Sequence, residues 1–464
     1  MPILSPPSLD ELRMRLAGDV HEPGSDAYED CCTLFNSMIE RPPLAVARCA
    51  APDDVVTALA FAREHGLPVS VRAGGHSVAG LSLNHGGLVL DLRPMSEVEV
   101  DPAGRRARVG GGATWAQVDR ATQEHGLATT GGRVSTTGVA GLTLGGGSGW
   151  LERRHGLACD NLLAAELVTA DGRLVRATDD ENPDLFWALR GGGGNFGVVT
   201  ALEFRLHPVG PQVFGGLVMR PAEHGRELMR AWRDLMADAP EELSLAFAYL
   251  TAPDDPEIPA ELRGKLTAII AGMHCGSVAE GERLLRPIRA LDFGGPSVDA
   301  FGPTPYADFQ CALDDPPGKR NYWTVEHLAD LPEDAVELVH ERALEAPGSA
   351  PQIFCVAWGG AVARAGESAS PLAGRDARFL FHPLMMWDDP ADDERVIAWG
   401  RSFRDALAPF SSGAAYPNFE GEVGTARGRA GFTPASLARL AEVKAKWDPE
   451  GVFRAPGYVP PAAG

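Results

Sequence analysis

Hydrophobic and polar positions change their period repeatedly along the chain, and each change predicts an element. Val55, Val56, Leu59, Ala60 and Ala62 are spaced as on a helix running to His65, behind Pro52-Asp53-Asp54, a proline and two acids suited to a first turn. The run Leu67 to Val71 predicts a short strand. Further strands are predicted at Ala45 to Ala50, Gly87 to Leu92, Ala164 to Thr169 and Leu174 to Ala177, the last two flanking Asp171-Gly172. Val98 to Val100 and Ala107 to Val109 read as a hairpin across Asp101-Pro102-Ala103-Gly104. Helices are predicted at Ser8 to Ala17 with Ser8 as cap, at Trp115 to His125, and at Leu185 to Leu189 behind Asn182-Pro183-Asp184. Tyr28 to Glu40 reads as a loop or short helix, and the adjacent Cys31 and Cys32 as helix residues.

Beyond Pro208 the pattern changes. Strands at Phe214 to Met219, Leu243 to Leu250, Leu266 to Ala271, Ile353 to Trp358 and Arg378 to Trp387 alternate with helices at Ala222 to Ala237, Val278 to Leu285 and Pro332 to Ala343. This predicts an α+β substrate-type domain over a sheet. Two more helices are predicted, Ala391 to Ala408 with Trp399 and Phe403 on one face, and Pro434 to Lys446.

Before Pro208 three glycine clusters interrupt the elements. The first, Arg72-Ala73-Gly74-Gly75-His76-Ser77 with Gly80 beyond it, leaves a strand. Glycine accepts positive φ and brings backbone close to a ligand, and successive N–H groups at such a turn make a nest for a diphosphate. His76 beside a phosphate-bearing cofactor can serve as ligand, base or nucleophile. The second cluster runs from Gly131 to Gly149, and Val139, Leu142 and Leu144 within it exclude a flexible linker. It predicts backbone packed along a flat, extended ligand. The third, Gly191 to Thr200, runs into a strand that ends near His207. None is a strand, Gly-x-Gly-x-x-Gly, helix unit with a following acid, which argues against a nicotinamide-binding Rossmann enzyme.

The 464 residues suggest two to three domains, and 44% hydrophobic with 23% charged residues describe a soluble globular chain. A net charge of −21 speaks against nucleic-acid and anionic-membrane partners. Seven cysteines without Cys-x-x-Cys spacing predict neither a disulfide framework nor a zinc site, and no metal is expected. Met1 to Asp10 lacks the order of a signal peptide, and no apolar run reaches the roughly 18–20 residues of a membrane span, so a cytoplasmic location is expected. His85, His125 and His155 read as surface or turn residues. Ser148 lacks the second glycine of a nucleophile elbow.

The three clusters, together with Tyr416-Pro417-Asn418 and Trp447-Asp448-Pro449 ahead of Phe453-Arg454, resemble in order the FAD-linked oxidases of the vanillyl-alcohol oxidase superfamily, nearest to the berberine-bridge-enzyme-like branch. The resemblance covers nearly the whole chain. It implies a two-part FAD-binding domain, residues 1–208 and 413–464, with an antiparallel-sheet-plus-helices substrate domain inserted at 209–412. It implies FAD covalently attached through His76. Members that attach the flavin twice carry a cysteine where this chain has Val134, so a single link is expected.

Carried over by resemblance, the diphosphate rests on Arg72, Ala73, Gly74, Gly75, His76, Ser77 and Gly80, while Gly138, Gly141, Gly145 and Gly149 line the ribityl chain and ring. Val199 meets the adenine end, and Thr137 lies where oxygen reaches the flavin. Tyr416 takes or orients a substrate proton, or is a structural tyrosine bonded to backbone, and Asn418 orients the ring or Tyr416. Glu420 and Glu422 are expected at the surface. Trp323, Trp358, Phe381, Met385 and Met386 either line the substrate cavity or belong to the core, and Tyr458 is expected to fill space near the flavin. The implied activity is oxidation of an alcohol, sugar or secondary metabolite with hydride transfer to flavin and return of the electrons to oxygen. The alternatives are a dehydrogenase with another acceptor and a flavin-carrying binding protein without turnover.

Overall fold

The Pro52–Glu64 helix carries its proline and two acids in the first turn and buries Val55, Ala58, Leu59, Phe61 and Ala62. It joins Ala45–Arg48 to Val69–Arg72, strands that both pair in parallel with Leu88–Asp91 and therefore need such a crossover. Asp19–His21 completes this four-stranded sheet. The buried Asp54 carboxylate ties the unit together by accepting from Ala17 N, Gly18 N and Ala50 N at 2.7, 3.1 and 2.8 Å. The structure is a computed structural model and describes residues 7–462 except 349, 367, 423–425 and 455–458.

A five-stranded antiparallel sheet follows, in the order Val98–Asp101, Arg106–Gly110, Val198–Arg205, Leu162–Val168, Leu174–Ala177. Its hairpin and turn fall where the alternation predicted them. One expectation shifts. The first helix is Asp10–Arg15 with Leu9 at its cap position, and the Ser8 hydroxyl reaches only Asp10, accepting from its N–H and donating to its carboxylate. Within the second glycine cluster Val139–Leu144 winds into a helix that buries Val139, Ala140, Thr143 and Leu144.

The inserted sheet has nine strands, all antiparallel, from Gln212–Pro221 through Leu266–His274, Leu243–Thr251 and Gln352–Ala357 to Phe379–Trp387 and Arg320–Trp323. Its side chains alternate with period two. Leu243, Leu245, Phe247 and Tyr249, with Ile353, Cys355, Phe379 and Phe381, pack with Trp232, Val336 and Phe403 of the overlying helices. The alternate positions Leu250, Gln352, Phe354, Val356, His382, Leu384 and Met386 face a cavity on the other side. The short Tyr306–Cys311 helix was not foreseen, since prolines at 303 and 305 mask a run of six residues.

The Pro434–Trp447 helix returns to the first part of the chain. Leu440, Val443 and Trp447 share a core with Leu185, Phe186 and Phe196. At its end the Lys444 ammonium, with no side-chain exposure, donates to Asp448 Oδ2 at 2.6 Å, Asn195 O at 2.5 Å and Phe453 O at 2.8 Å. Asp448 in turn accepts from Val452 N and Phe453 N. The third glycine cluster is thereby fastened to the C-terminal segment. Asp448→Ala leaves the buried Lys444 charge without its carboxylate. It is expected to cost about 3–5 kcal/mol, seen as a lowered urea midpoint at unchanged slope. An unmoved midpoint would contradict this role.

Candidate active site

Between the glycine segments and the helix-free face of the large sheet lies a cavity of about 1560 Å³. Single-ligand pockets run to roughly 300–1,000 Å³, so there is room for a large cofactor and a substrate together. Its first wall is backbone. Strand Val69–Arg72 opens into Gly74 and Gly75, the latter at φ 74°. A Cβ on Gly74 would overlap Gly138 N, and one on Gly138 would overlap Gly74 N, so these two glycines serve each other's close approach. By contrast a Cβ on Gly141 or Gly194 would meet no protein atom and would project into open space. Such a cradle fits a flat cofactor with a phosphate-bearing arm.

Of the residues expected on the flavin, Ala73, Gly74, Gly75, His76, Ser77, Thr137, Gly138, Gly141, Gly145, Val199 and Asn418 line this cavity. Arg72, Gly80, Gly149 and Tyr416 are not among the lining residues. Arg72 is buried and donates to Asp30 O at 3.1 Å. Gly80 packs on Ile39, and Gly149 on Gly131 O. The Tyr416 hydroxyl accepts from Ser148 N at 2.9 Å, and its ring lies against Gly146, Trp358 and Phe419. Burial pushes the phenol's pKa well up. In this structure Tyr416 props the Gly146–Ser148 turn, as a structural tyrosine bonded to backbone does. Tyr458 lies outside the described residues.

His76 stacks on Phe35 at 4.6 Å and pairs through Nε2 with Thr136 Oγ1 at 2.8 Å. Burial lowers its pKa to about 4, so the ring is neutral near pH 7. Asn418 Nδ2 donates to Leu142 O at 2.8 Å, and its Oδ1 fills the space a Cβ on Gly145 would take. Glu420 is not at the surface. It is 3% exposed, accepts from Arg427 Nε at 3.1 Å and Thr324 Oγ1 at 3.3 Å, and is raised by burial. Glu422 is half-buried against Arg401 and Arg404. Trp323 and Met386 line the cavity, while Trp358, Phe381 and Met385 are core. His155 is not a surface residue either, since it stacks on His207 at 3.8 Å.

The residue missed in the sequence is His382. It is 3% exposed, stacked on Phe419 at 4.1 Å and edge-on to Trp323 at 5.1 Å. Its Nδ1–H donates to Thr324 O at 2.9 Å. Nε2 has no partner, and the residue lines the cavity. Burial lowers its pKa to about 3. The signal was available, as a lone histidine in the apolar run Phe379–Trp387.

A glycine-walled cradle of cofactor size, a neutral histidine on its rim and a sheet carrying an unanswered acceptor define an FAD-dependent oxidoreductase. Comparison with known proteins agrees. Residues 43–178 match the FAD binding domain model and residues 415–460 the berberine and berberine-like model. The chain is 31% identical over 462 residues to the uncharacterized FAD-linked oxidoreductase YvdP of Bacillus subtilis, covering 97% of this chain and 99% of that one. It is 30% identical over 461 residues to (R)-6-hydroxynicotine oxidase of Paenarthrobacter nicotinovorans, covering 95% and 96%. The crystal structure of 6-hydroxy-D-nicotine oxidase from Arthrobacter nicotinovorans superposes with a TM-score of 0.86 at 27% identity, over 96% of this chain and 98% of that one. The chain belongs to the berberine-bridge-enzyme-like family of FAD-linked oxidoreductases. Among the described residues no helix is long and apolar enough to cross a membrane.

Gly141→Ala separates cradle from scaffold. In the helix it should leave the apoprotein as stable or up to about 1 kcal/mol more stable. With a methyl group in the cavity it should lower FAD content severalfold, measured as the 450 nm to 280 nm absorbance ratio. A variant with full FAD content would show that the cofactor does not approach Gly141.

Proposed function

We propose that the chain is an oxidase of a small organic substrate bearing an O–H or N–H beside the reacting C–H, with FAD held by one covalent bond to His76. The observation that carries this reading is His382 Nε2, a buried acceptor without a partner on the wall of the cofactor cavity. The flavin, when bound, supplies the hydride acceptor and passes the electron pair to oxygen as hydrogen peroxide.

The residues of the chain divide the remaining work. Ala73 to Ser77 offer backbone to the diphosphate, Gly138, Gly141 and Gly145 flank the ring and ribityl chain, and Val199 serves the adenine end. Thr137 keeps a small side chain where oxygen arrives, and Asn418 orients the ring edge. Thr136 occupies His76 Nε2, so Nδ1 is the nitrogen left for bond formation, and a neutral ring is the form that can add. Val134 offers no second nucleophile.

His382 receives the substrate proton. Its tautomer is set by Thr324 O, which takes the Nδ1 proton and leaves the lone pair on Nε2. As hydride leaves, an alcohol O–H becomes that of a protonated carbonyl, a strong acid, so an imidazole of low basicity suffices. Tyr416 keeps the neighbouring turn in place without touching substrate.

Acid precipitation tests the attachment. The pellet of the wild type should stay yellow, and that of His76→Ala should release its flavin. Flavin in the wild-type supernatant would leave His76 a neighbour only. His382→Ala should lower kcat by about 10²–10⁴ with flavin content unchanged. Unchanged turnover on a substrate with a proton-bearing reacting group would remove His382 from the reaction.

A further inference from the structure

Arg133, Glu420 and Lys319 on the cavity wall each pair with an opposite charge, whereas the adjacent carboxylates Asp314 and Asp315 accept only from neutral groups among the described residues. Arg133 pairs with buried Glu152 at 2.6 Å and donates to Ser148 Oγ at 2.9 Å. Asp314 accepts from Ser135 N and Ser135 Oγ. Glu420 has Arg427, and Lys319 has Asp388. Asp315 accepts only from the neutral amide of Gln352, at 2.9 Å, and no cation faces it among the described residues. Burial and the like charge of Asp314 push it up to about 6, so it is largely ionised at pH 7. Asp315 is partly buried, and a partly desolvated carboxylate without a cation is favoured by a cationic ligand.

The sheet sets the distance from this group to the reacting end. Phe354 pairs directly with His382, and Gln352, which holds Asp315, lies two residues along the same face. Gln352 and His382, as diagonal neighbours, are roughly 7–8 Å apart. Phe354 beside His382 and Trp323 on the strand beyond it give the cavity an apolar wall, and His382 Nε2 has no partner.

We propose that the substrate carries a protonated amine bound by Asp315, an aromatic or other flat apolar body against Phe354 and Trp323, and its reacting X–H at His382. This rests on the oxidase reading, with Asp315 as the residue that selects for the cation. Asp315 touches the end of the substrate remote from the bond that changes. Its loss therefore weakens binding of the amine and leaves the hydride step to the groups around His382.

A matched pair of probes tests it, 4-(aminomethyl)benzyl alcohol and 4-methylbenzyl alcohol, titrated calorimetrically into the flavin-loaded enzyme under anaerobic conditions. The wild type should bind the ammonium alcohol at least tenfold more tightly than the neutral one. Asp315→Asn should abolish that preference and leave the neutral alcohol's affinity unchanged. Equal affinities in the wild type, or a preference that survives Asp315→Asn, overturns the proposal while the flavin spectrum leaves the oxidase reading standing. A purified protein without flavin overturns both. Glu420→Gln, at another carboxylate of the cavity wall, should retain the preference, and its loss there would move the cation site away from Asp315.

Discussion

Gly74 and Gly138 meet backbone to backbone, and the site depends on that approach. No side chain fits between them in either direction. The second segment is stitched in place at the same point, with Trp115 N on Thr137 O and Val139 N on Ala113 O. The turn that carries His76 and the segment that carries Thr137 and Gly141 therefore open on one cavity. A methyl group at either contact would push these two backbones apart and widen the cradle they form together.

The opposite wall follows from a different constraint, the two-residue period of a strand. In the large sheet every second side chain is committed to the helix layer, and the alternates either pack against the rest of the chain or, as Phe354, His382 and Met386 do, line the cavity. Phe354 and His382 are cross-strand partners, so a polar acceptor and an aromatic surface are delivered side by side. A one-residue slip of Phe379–Trp387 would bury His382 under the helices and turn Phe381 into the cavity. The tight core around Trp232, Phe247 and Phe379 thus holds the chemistry in register as well as holding the sheet.

The fold was largely legible because its signals are local. The 3.6-residue spacing at Val55 to Ala62, the alternation after Pro208, and Pro or Asp in first turns each act within a few residues. What stayed hidden depends on distant partners. Gly149 reads as a ligand glycine until Gly131 O is seen against it, and Arg72 as a phosphate ligand until its guanidinium is seen turned to Asp30 O. Glu420 resembles a surface acid because Arg427 follows seven residues later, across residues that show no pattern. His382 could be found by position, but its empty Nε2 comes from the packing of Phe419 and Trp323 around it.

Burial acts in opposite senses on the two groups that compete for the role of proton acceptor. A phenol must lose a proton to become a base, and enclosure among Trp358, Phe419 and the Gly146 turn raises that cost, while its oxygen is already taken by Ser148 N. An imidazole is a base while neutral, and the same enclosure keeps His382 neutral with a lone pair unspent. The phenol is thereby held in a structural setting, and the imidazole is the group we propose for the chemistry. Had the tyrosine been exposed to the cavity beside a cation, the balance would reverse. Arg133 on the cavity wall is instead paired with Glu152 and laid over Trp150 at 4.8 Å. The sheet wall of the cavity therefore carries an acceptor without a partner, His382 Nε2, and the opposite wall offers backbone.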